Sequence, residues 1–260
     1  MDDMIIRTAD ADDASAIAEI YAYYTRYTAV SFEVDPPSAD EMADRIRRYA
    51  QKYPYLVIED EDEEILGFAF AHAFRERPAY DYAVETTIYL RPGERHRGLG
   101  RAIYTVLEDE LRRMGVISLY ACIAVSDAED EYLNADSPRF HAAMGYKTCG
   151  EFKNCGRKFN RWYDMIWMEK LLGDFPPQPA PIVPYPAALR MEKGTVREPL
   201  SSYDAKRVRL VTVHGDMLRG KASHFPAEFG EHELGVAEEG LQLGSFVCYK
   251  SDIAGITEIG

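Results

Sequence analysis

The chain has 260 residues, of which 47% are hydrophobic, and a formal net charge of −14 at pH 7. This length is enough to bury one large core or two smaller ones. The negative charge argues against general nucleic-acid binding, which needs a basic face, and no apolar run is long enough to cross a bilayer. The four cysteines fit no metal motif and the acidic start of the chain lacks the features of a secretory signal, so we expect reduced thiols, no metal site and a cytoplasmic location.

The first third of the sequence predicts two helices followed by three strands. Apolar residues recur at helical spacing through 11–24, and Ser38 with Glu41 has the spacing of a capping box at the start of a second helix. Strand-like runs follow at 55–60, 65–74 and 83–90. The acidic run between the first two is interpreted as the solvated turn of an antiparallel hairpin rather than as a metal site.

The middle of the sequence predicts an alternation of helices and strands. A helix begins within RHRGLGRAIYTVLEDELRRMG, residues 95–115, and Gly115 has the position of its C-terminal cap. A buried strand follows at 117–125, and a helix with Ser137 as N-cap ends at Gly145. Two more strands close this block, which is predicted to be α+β, with helices packed on a mixed sheet.

The proline-rich stretch 173–187 separates this block from the rest of the chain. Proline fixes φ and removes a hydrogen-bond donor, so we interpret residues 173–189 as a semi-rigid linker, with an SH3-type ligand as the alternative. Residues 1–172 then form one domain. Residues 190–260 contain several short strands with glycine turns, which predicts a second, small all-β domain resembling an SH3-like or Sm-like barrel.

The start of the helix at 95–115 has the features of a pyrophosphate cradle. A helix N-terminus presents unpaired N–H groups and the positive end of its dipole, and Gly98 and Gly100 allow a ligand to approach the main chain. Arg95, Arg97 and Arg101 add positive charge in an otherwise acidic chain. A glycine-rich loop without a ligand is the alternative. A Rossmann site is disfavoured, because its third glycine would fall at Ile103.

Several segments together resemble a known family. The pattern Arg95-x-x-Gly98-x-Gly100 resembles motif A of the GNAT acetyltransferases, which binds the pyrophosphate of acetyl-CoA. FRERPAYDYAVETTIYL (74–90), TAVSFEVDPPS (28–38), SPRFHAAMGY (137–146) and RWYDMIWMEK (161–170) resemble segments of the phosphinothricin acetyltransferase family. The resemblance covers residues 4–172. It implies the GNAT acyl-CoA N-acyltransferase fold, with a mixed, mostly antiparallel sheet flanked by helices, and acetyl-CoA as cosubstrate.

The resemblance also implies the residues that carry out the reaction. Glu85 matches the glutamate proposed as the base that removes the amine proton, although a solvent-facing strand glutamate is the alternative. His141 lies where a group could protonate the departing thiolate, and a structural histidine is equally compatible. The implied cofactor-binding residues are Ile88, Tyr89, Leu90, Arg95, His96, Arg97, Gly98, Gly100, Arg101 and Asn134. Main-chain N–H groups near Ile88 and Leu90 would donate to the thioester oxygen.

The implied acceptor is the amine of a small amino acid or analogue, such as phosphinothricin or a methionine sulfone or sulfoximine. Arg75, Arg77 and Tyr80 are the candidates for binding its acid groups, because guanidinium forks suit carboxylates and tetrahedral oxyanions. Phe32 would form an apolar wall. The alternative is that these arginines are ordinary surface charges.

Two other functions stay open at this stage. The first block could be an acyl-CoA-binding regulatory module whose second domain engages a protein or RNA partner, or the enzyme could acetylate a protein or peptide amine. The presence of both a cofactor loop and a candidate base favours the small-molecule enzyme. We expect a homodimer by resemblance, with no nucleic-acid or membrane partner.

Overall fold

The computed structural model describes residues 4–127, 130–191, 198–230 and 236–259. The main helices are α1 (Ala14–Tyr27), α2 (Ala39–Ala50), α3 (Leu99–Met114), α4 (Asp136–Ala143) and α5 (Tyr185–Met191). The strands are β1 (Ile5–Thr8), β2 (Tyr55–Glu59), β3 (Ile65–Ala73), β4 (Ala83–Leu90), β5 (Ser118–Val125), β6 (Lys147–Lys158), β7 (Arg161–Leu171), β8 (Arg207–Thr212), β9 (Met217–Lys221), β10 (Ser223–Phe225), β11 (Gly240–Leu243), β12 (Phe246–Tyr249) and β13 (Ile253–Glu258). Within these described residues, no helix combines the length and the apolar character needed to cross a membrane.

One ten-stranded sheet organises the molecule, in the order β13-β8-β9-β1-β2-β3-β4-β5-β7-β6. Every neighbouring pair is antiparallel except β4 and β5, so the prediction of a mixed, mostly antiparallel sheet flanked by helices is confirmed. Strand β1 was missed, because four residues are too few to show an alternating pattern. It nevertheless holds a central position, since it pairs with β2 on one side and with β9 on the other.

The predicted helix starts and ends are largely reproduced. At the start of α2, Glu41 N–H donates to Ser38 Oγ at 3.2 Å and Ser38 N–H donates to Glu41 Oε2 at 2.7 Å, which is the predicted capping box. Gly115 ends α3 in the left-handed region, with φ 93°. Helix α4 begins earlier than predicted, because Asp136 N–H donates to the Asn134 side chain at 3.0 Å and Ser137 lies inside the first turn.

The two faces of the sheet carry separate cores. One core packs α3 against β2 to β5 and includes Ile103, Leu107 and Leu119. The other packs α1 and α2 on the opposite face around Ile17 and Phe68. Successive residues of a strand point to opposite faces, so β4 contributes to both cores. Its even-numbered residues Ile88 and Leu90 pack with α3, whereas the odd-numbered Tyr89 packs with α1 and α2.

The C-terminal strands continue the same sheet rather than standing apart from it. Strand β9 pairs with β1 at Arg7↔Leu218, and Ile5 of β1 is buried in a core with Leu210 and Leu241. A buried ion pair joins Glu110 of α3 to Arg209 of β8. Three further strands form a small sheet in the order β10-β11-β12. This pairing does not identify the barrel type, so the SH3-like or Sm-like barrel stays a prediction.

A helix begins within the predicted linker, before its predicted end at residue 189. Helix α5 begins at Tyr185, and the side chains of Tyr185 and Leu189 are buried in the core beneath α3. The Tyr185 N–H donates to the Lys52 carbonyl at 2.9 Å. The chain therefore packs against the first block as it crosses toward the C-terminal strands. Burial of the apolar surface of these two side chains stabilises this packing.

Candidate active site

A gap between β4 and β5 defines the candidate site. The two strands pair in parallel only from Ala83 to Glu85, opposite Ser118 to Tyr120. Beyond Glu85, β4 continues to pair with β3 as far as Leu90, while β5 continues to pair with β7 as far as Val125. The two strands therefore diverge, and the β5-facing edge of β4 has no strand partner there among the described residues. Main-chain N–H groups at such an edge are available to a ligand.

A cavity of about 490 Å³ lies where β4 ends and α3 begins. The predicted cofactor residues that line it are Ile88, Tyr89, Leu90, Arg95, His96, Gly98, Gly100, Arg101 and Asn134. Arg97 does not line it, although its guanidinium pairs with Glu94, which does. The glycine-rich motif before α3 and the loop at Asn134, which are distant in the sequence, thus line the same cavity. Their roles in binding a cofactor stay predictions.

The start of α3 has the geometry that an anion needs. Gly98 is the residue before the helix and lies in the left-handed region, with φ 80°, and glycine has no side chain with which to cap the first N–H groups. Gly100 packs closely against α4, since a Cβ atom built there would lie 3.2 Å from Phe140 Cε2. The N–H groups and the positive end of the dipole therefore face the cavity, which is how helices bind phosphates.

Two of the predicted basic residues are linked to α4 and the loop before it. Arg95 Nη1 donates to Asp136 Oδ2 at 2.8 Å, and Asn134 Nδ2 donates to the same oxygen at 2.9 Å. Arg101 donates to the Ala143 carbonyl at 3.3 Å. Arg95 is 43% exposed in this pair. An incoming diphosphate would compete with Asp136 for Arg95, because both are oxygen anions that a guanidinium fork can bind.

A second cavity of about 410 Å³ contains the candidate base. Glu85, Phe32 and His141 line it, and it shares Ile88 and Tyr89 with the first cavity. Burial raises the pKa of Glu85, while the charges of His72 and Arg75 oppose that rise. The His72 Nε2 atom lies 3.9 Å from Glu85 Oε2. A carboxylate with a raised pKa accepts a proton more readily than an exposed glutamate does.

His141 lies on the other face of β4 from Glu85 and is held by protein groups at both ring nitrogens. Nδ1 lies 2.9 Å from the Ser137 carbonyl oxygen, and Nε2 lies 3.1 Å from the Tyr104 hydroxyl. Burial lowers the pKa of His141, which favours the neutral form of the ring. Because a carbonyl oxygen only accepts, the single proton belongs on Nδ1. This arrangement favours the structural interpretation of His141, and its role as a proton donor stays a prediction.

The predicted acceptor residues are not brought together. Phe32 lines the cavity of Glu85, with its ring packed against Gly156. Arg75 stacks on Phe74, with 4.6 Å from its Cζ to the ring centroid, and is close enough for its charge to act on Glu85. In the described structure, Arg77 and Tyr80 line neither cavity. Both are exposed: Tyr80 ends a short 3₁₀ turn, and Arg77 is the residue before that turn.

Sequence reasoning missed a polar extension of the Glu85 cavity toward α1 and α2. A space of about 250 Å³ is bordered by Glu85 together with Glu33, Arg45 and His72. Arg45 donates to the two oxygens of Glu33 at 2.8 and 3.1 Å. His72 lies directly opposite Glu85 in the β3–β4 register, so the alternation of the predicted strands contained the signal for it.

Metal ligands are not part of this arrangement. Across residues 4–127, 130–191, 198–230 and 236–259, no group of three or more histidine, cysteine, aspartate or glutamate residues is arranged to hold a metal ion. Asp60 accepts main-chain hydrogen bonds from Asp62 and Glu64, so the acidic run there forms the predicted turn. Part of the second acidic run, at 127–131, lies outside the described residues.

Comparison with known proteins agrees with this geometry. The sequence profile of the acetyltransferase (GNAT) domain matches residues 6–167. Phosphinothricin N-acetyltransferase of Streptomyces coelicolor is 32% identical over 170 residues, which cover 64% of this chain and 95% of that protein. The L-methionine sulfoximine/L-methionine sulfone acetyltransferase of Salmonella typhimurium is 33% identical and covers 66% and 96%. A phosphinothricin acetyltransferase from Sinorhizobium meliloti, solved with AcCoA, superposes with a TM-score of 0.62 at 34% identity, covering 67% and 92%. This chain therefore belongs to the GNAT family of acetyltransferases, with strands β8 to β13 added beyond the family match.

Proposed function

We propose that the protein transfers an acetyl group from acetyl-CoA to the amine of a small amino acid or analogue, of the phosphinothricin or methionine sulfone and sulfoximine type. The observation that carries this proposal is the position of Glu85 beside the gap between β4 and β5, next to the cavity at the start of α3. The relatives named for these acceptors support it.

The residues of the first cavity fit acetyl-CoA. The uncapped start of α3, with Arg95 and Arg101 beside it, suits a diphosphate, and the free edge of β4 near Ile88 and Leu90 suits an extended amide-bearing arm. Acetyl-CoA would supply the acyl group as a thioester. Main-chain N–H groups of that edge would stabilise negative charge on the carbonyl oxygen.

The two faces of β4 divide the work between the reactants. Glu85 points to the face covered by α1 and α2, whereas Thr86 and His141 lie on the face covered by α3 and α4. We propose that the acceptor approaches from the Glu85 side and that the cofactor lies on the other. Glu85 takes the proton from the ammonium group, directly or through a water, so that a neutral amine attacks.

The proton for the departing sulfur is assigned to the His141 side of β4. The Tyr104 hydroxyl lies between His141 Nε2, at 3.1 Å, and Thr86 Oγ1, at 2.6 Å. The Tyr104 hydroxyl donates to Thr86 Oγ1, and Thr86 donates in turn to the Tyr120 carbonyl, so this buried chain has a fixed direction of hydrogen bonding. We propose that His141 with Tyr104 passes to the departing thiolate the proton that the attacking nitrogen loses as the amide forms, so that the step consumes no net proton.

Arg75 is proposed to bind the acid group of the acceptor. Its guanidinium is exposed beside the Glu85 cavity, where it also favours the carboxylate form of Glu85. Arg77 and Tyr80 would take part through movement of the turn that carries them. We further propose a homodimer that works in the cytoplasm without nucleic-acid or membrane partners; the charge of −14 supports only the absence of a nucleic-acid partner.

A panel of amines tests the proposed function. Release of free thiol from acetyl-CoA is measured with phosphinothricin, methionine sulfone, methionine sulfoximine, the common amino acids and a set of peptides. We expect turnover with at least one small amino acid or analogue and little with the peptides. Turnover with peptides alone would move the assignment to a peptide amine, and binding of CoA without any turnover would contradict the enzyme.

A further inference from the structure

A cavity of about 450 Å³ lies away from the gap between β4 and β5, where α3 faces the C-terminal strands. Its apolar floor includes Ile6, Ile58 and Val106. Arg101, Arg207 and Arg219 surround the floor, and Asp109 contributes the one carboxylate among the described lining residues. Because β8 and β9 supply Arg207 and Arg219, the cavity depends on the part of the chain beyond the family match at residues 6–167.

Arg219 is incompletely satisfied at this cavity. Its side chain is 12% exposed, and its Nη2 lies 3.4 Å from Asp109 Oδ2, a long distance for a charged hydrogen bond. Its Nε is buried and has no hydrogen-bond partner in the described part of the chain. A buried donor without an acceptor costs free energy, so the Arg219 guanidinium is poorly compensated, and an oxygen anion that pairs with its exposed edge would be bound favourably.

The charge around the cavity is opposite to that of the chain. Arg101 and Arg219 line it with Asp109 as the one carboxylate among the described lining residues, whereas the whole protein carries a net charge of −14. Burial disfavours the charged form of Arg219 and lowers its pKa, which an incoming anion would reverse. The polar part of a ligand for this cavity is therefore an anion, while the floor of aliphatic side chains accepts an apolar body.

We propose that this cavity is a binding site for a small organic acid that carries one carboxylate on an aliphatic or aromatic body. The carboxylate pairs with Arg219, and the apolar body lies on Ile6, Ile58 and Val106. The volume is within the range of about 300–1,000 Å³ that is usual for small-molecule sites. An inorganic anion would leave the apolar floor in contact with water, so it fits less well.

Arg101 couples this organic-acid site to the proposed cofactor cavity, because it lines both. An anion that draws the Arg101 guanidinium toward the organic-acid site removes positive charge from the start of α3. Binding of the acid therefore weakens binding of CoA, and by linkage CoA weakens binding of the acid by the same factor. The direct binding measurement does not depend on acetyl transfer, so it fails or succeeds independently of the proposed function.

Calorimetric titration of octanoate into the full chain tests the site, with acetate, 1-octanol and inorganic phosphate as comparison probes. We expect octanoate to bind at least tenfold more tightly than any of these three. Equal binding of octanol would show a merely apolar cavity, and equal binding of acetate or phosphate would show an adventitious ion only. Either result would overturn the proposal.

Two variants locate the binding. Arg219→Met removes the charge and is expected to weaken octanoate binding at least tenfold. Thr105→Trp, at an exposed position of α3 that lines the cavity, fills the space while it keeps every guanidinium. It should abolish binding even if Arg219→Met fails to fold. Arg47→Met, in an exposed pair on α2, is the matched control. Wild-type affinity in Thr105→Trp would place octanoate elsewhere, and equal affinity with and without saturating CoA would contradict the sharing of Arg101.

Discussion

The ion pair between Glu110 and Arg209 should be essential for the stability of the whole chain. Arg209 Nε donates to Glu110 Oε1 at 2.7 Å and Nη2 donates to Oε2 at 2.8 Å, and the two side chains are 2% and 1% exposed. Arg209→Met keeps most of the volume but leaves a carboxylate buried in α3 without its fork. Removal of one partner from a buried pair costs about 3–5 kcal/mol.

The expected cost lies near the lower end of that range. Arg113 Nε lies 3.9 Å from Glu110 Oε1, and the Arg113 side chain is 43% exposed. Its charge therefore still compensates part of the buried Glu110 charge when Arg209 is removed. We expect the free energy of unfolding to fall by about 3 kcal/mol, which corresponds to a drop of roughly 6–12 °C in Tm for a chain of this size. Because Glu110 belongs to the helix whose start forms the proposed cofactor cavity, the KM for acetyl-CoA should rise as well.

Urea unfolding followed by tryptophan fluorescence measures this cost. The double variant Glu110→Leu/Arg209→Met should recover more than half of the loss, because no buried charge is left. Arg47→Met removes an arginine from an exposed pair with Asp44 and should change the free energy of unfolding by less than about 0.5 kcal/mol. A loss of under 1 kcal/mol in Arg209→Met would refute the reasoning, since it would mean that β8 does not pack on α3 as described.

Three further outcomes follow from the site. Gly100→Val should raise the KM for acetyl-CoA about tenfold, because the valine side chain meets Phe140 and displaces α4 by part of an ångström. An unchanged KM would contradict the close packing of Gly100 against Phe140. The value of kcat/KM should fall as pH falls through the pKa of Glu85, which burial raises. His72→Gln removes a charge that opposes this rise, so the pKa of Glu85 should increase and the fall in kcat/KM should move to higher pH. A pH profile identical to that of the wild type would exclude His72 from the site. Arg95→Gln should change the free energy of unfolding by less than about 0.5 kcal/mol, because its pair with Asp136 is exposed, yet raise the KM for acetyl-CoA roughly tenfold. A loss of stability with an unchanged KM would show that Arg95 is structural.

Local patterns explain why much of the fold could be predicted. The capping box at Ser38, the glycine that ends α3 and the uncapped turn at Gly98 each depend on residues within a few positions of one another. The candidate base Glu85 was implied by a family resemblance, and the matched family confirms the fold that the resemblance implied, whereas the gap beside Glu85 was not predicted.

The features that could not be predicted depend on contacts between distant segments. Strand β1 has only four residues, and its pairing with β9 joins positions more than 200 residues apart. Nothing near His141 in the sequence indicates that the Tyr104 hydroxyl lies at its Nε2 atom. The Glu33–Arg45 pair likewise forms only when the loop before α2 folds over that helix.

Glu85→Gln gives the most direct test that acetyl transfer takes place beside Glu85 at the gap between β4 and β5. We expect kcat for the best acceptor to fall by about 10²–10⁴, the usual contribution of a general base, while the calorimetric Kd for CoA stays within twofold of wild type. Glu61→Gln, on an exposed turn, is the matched control and should keep full activity. Wild-type kcat in Glu85→Gln would contradict the account.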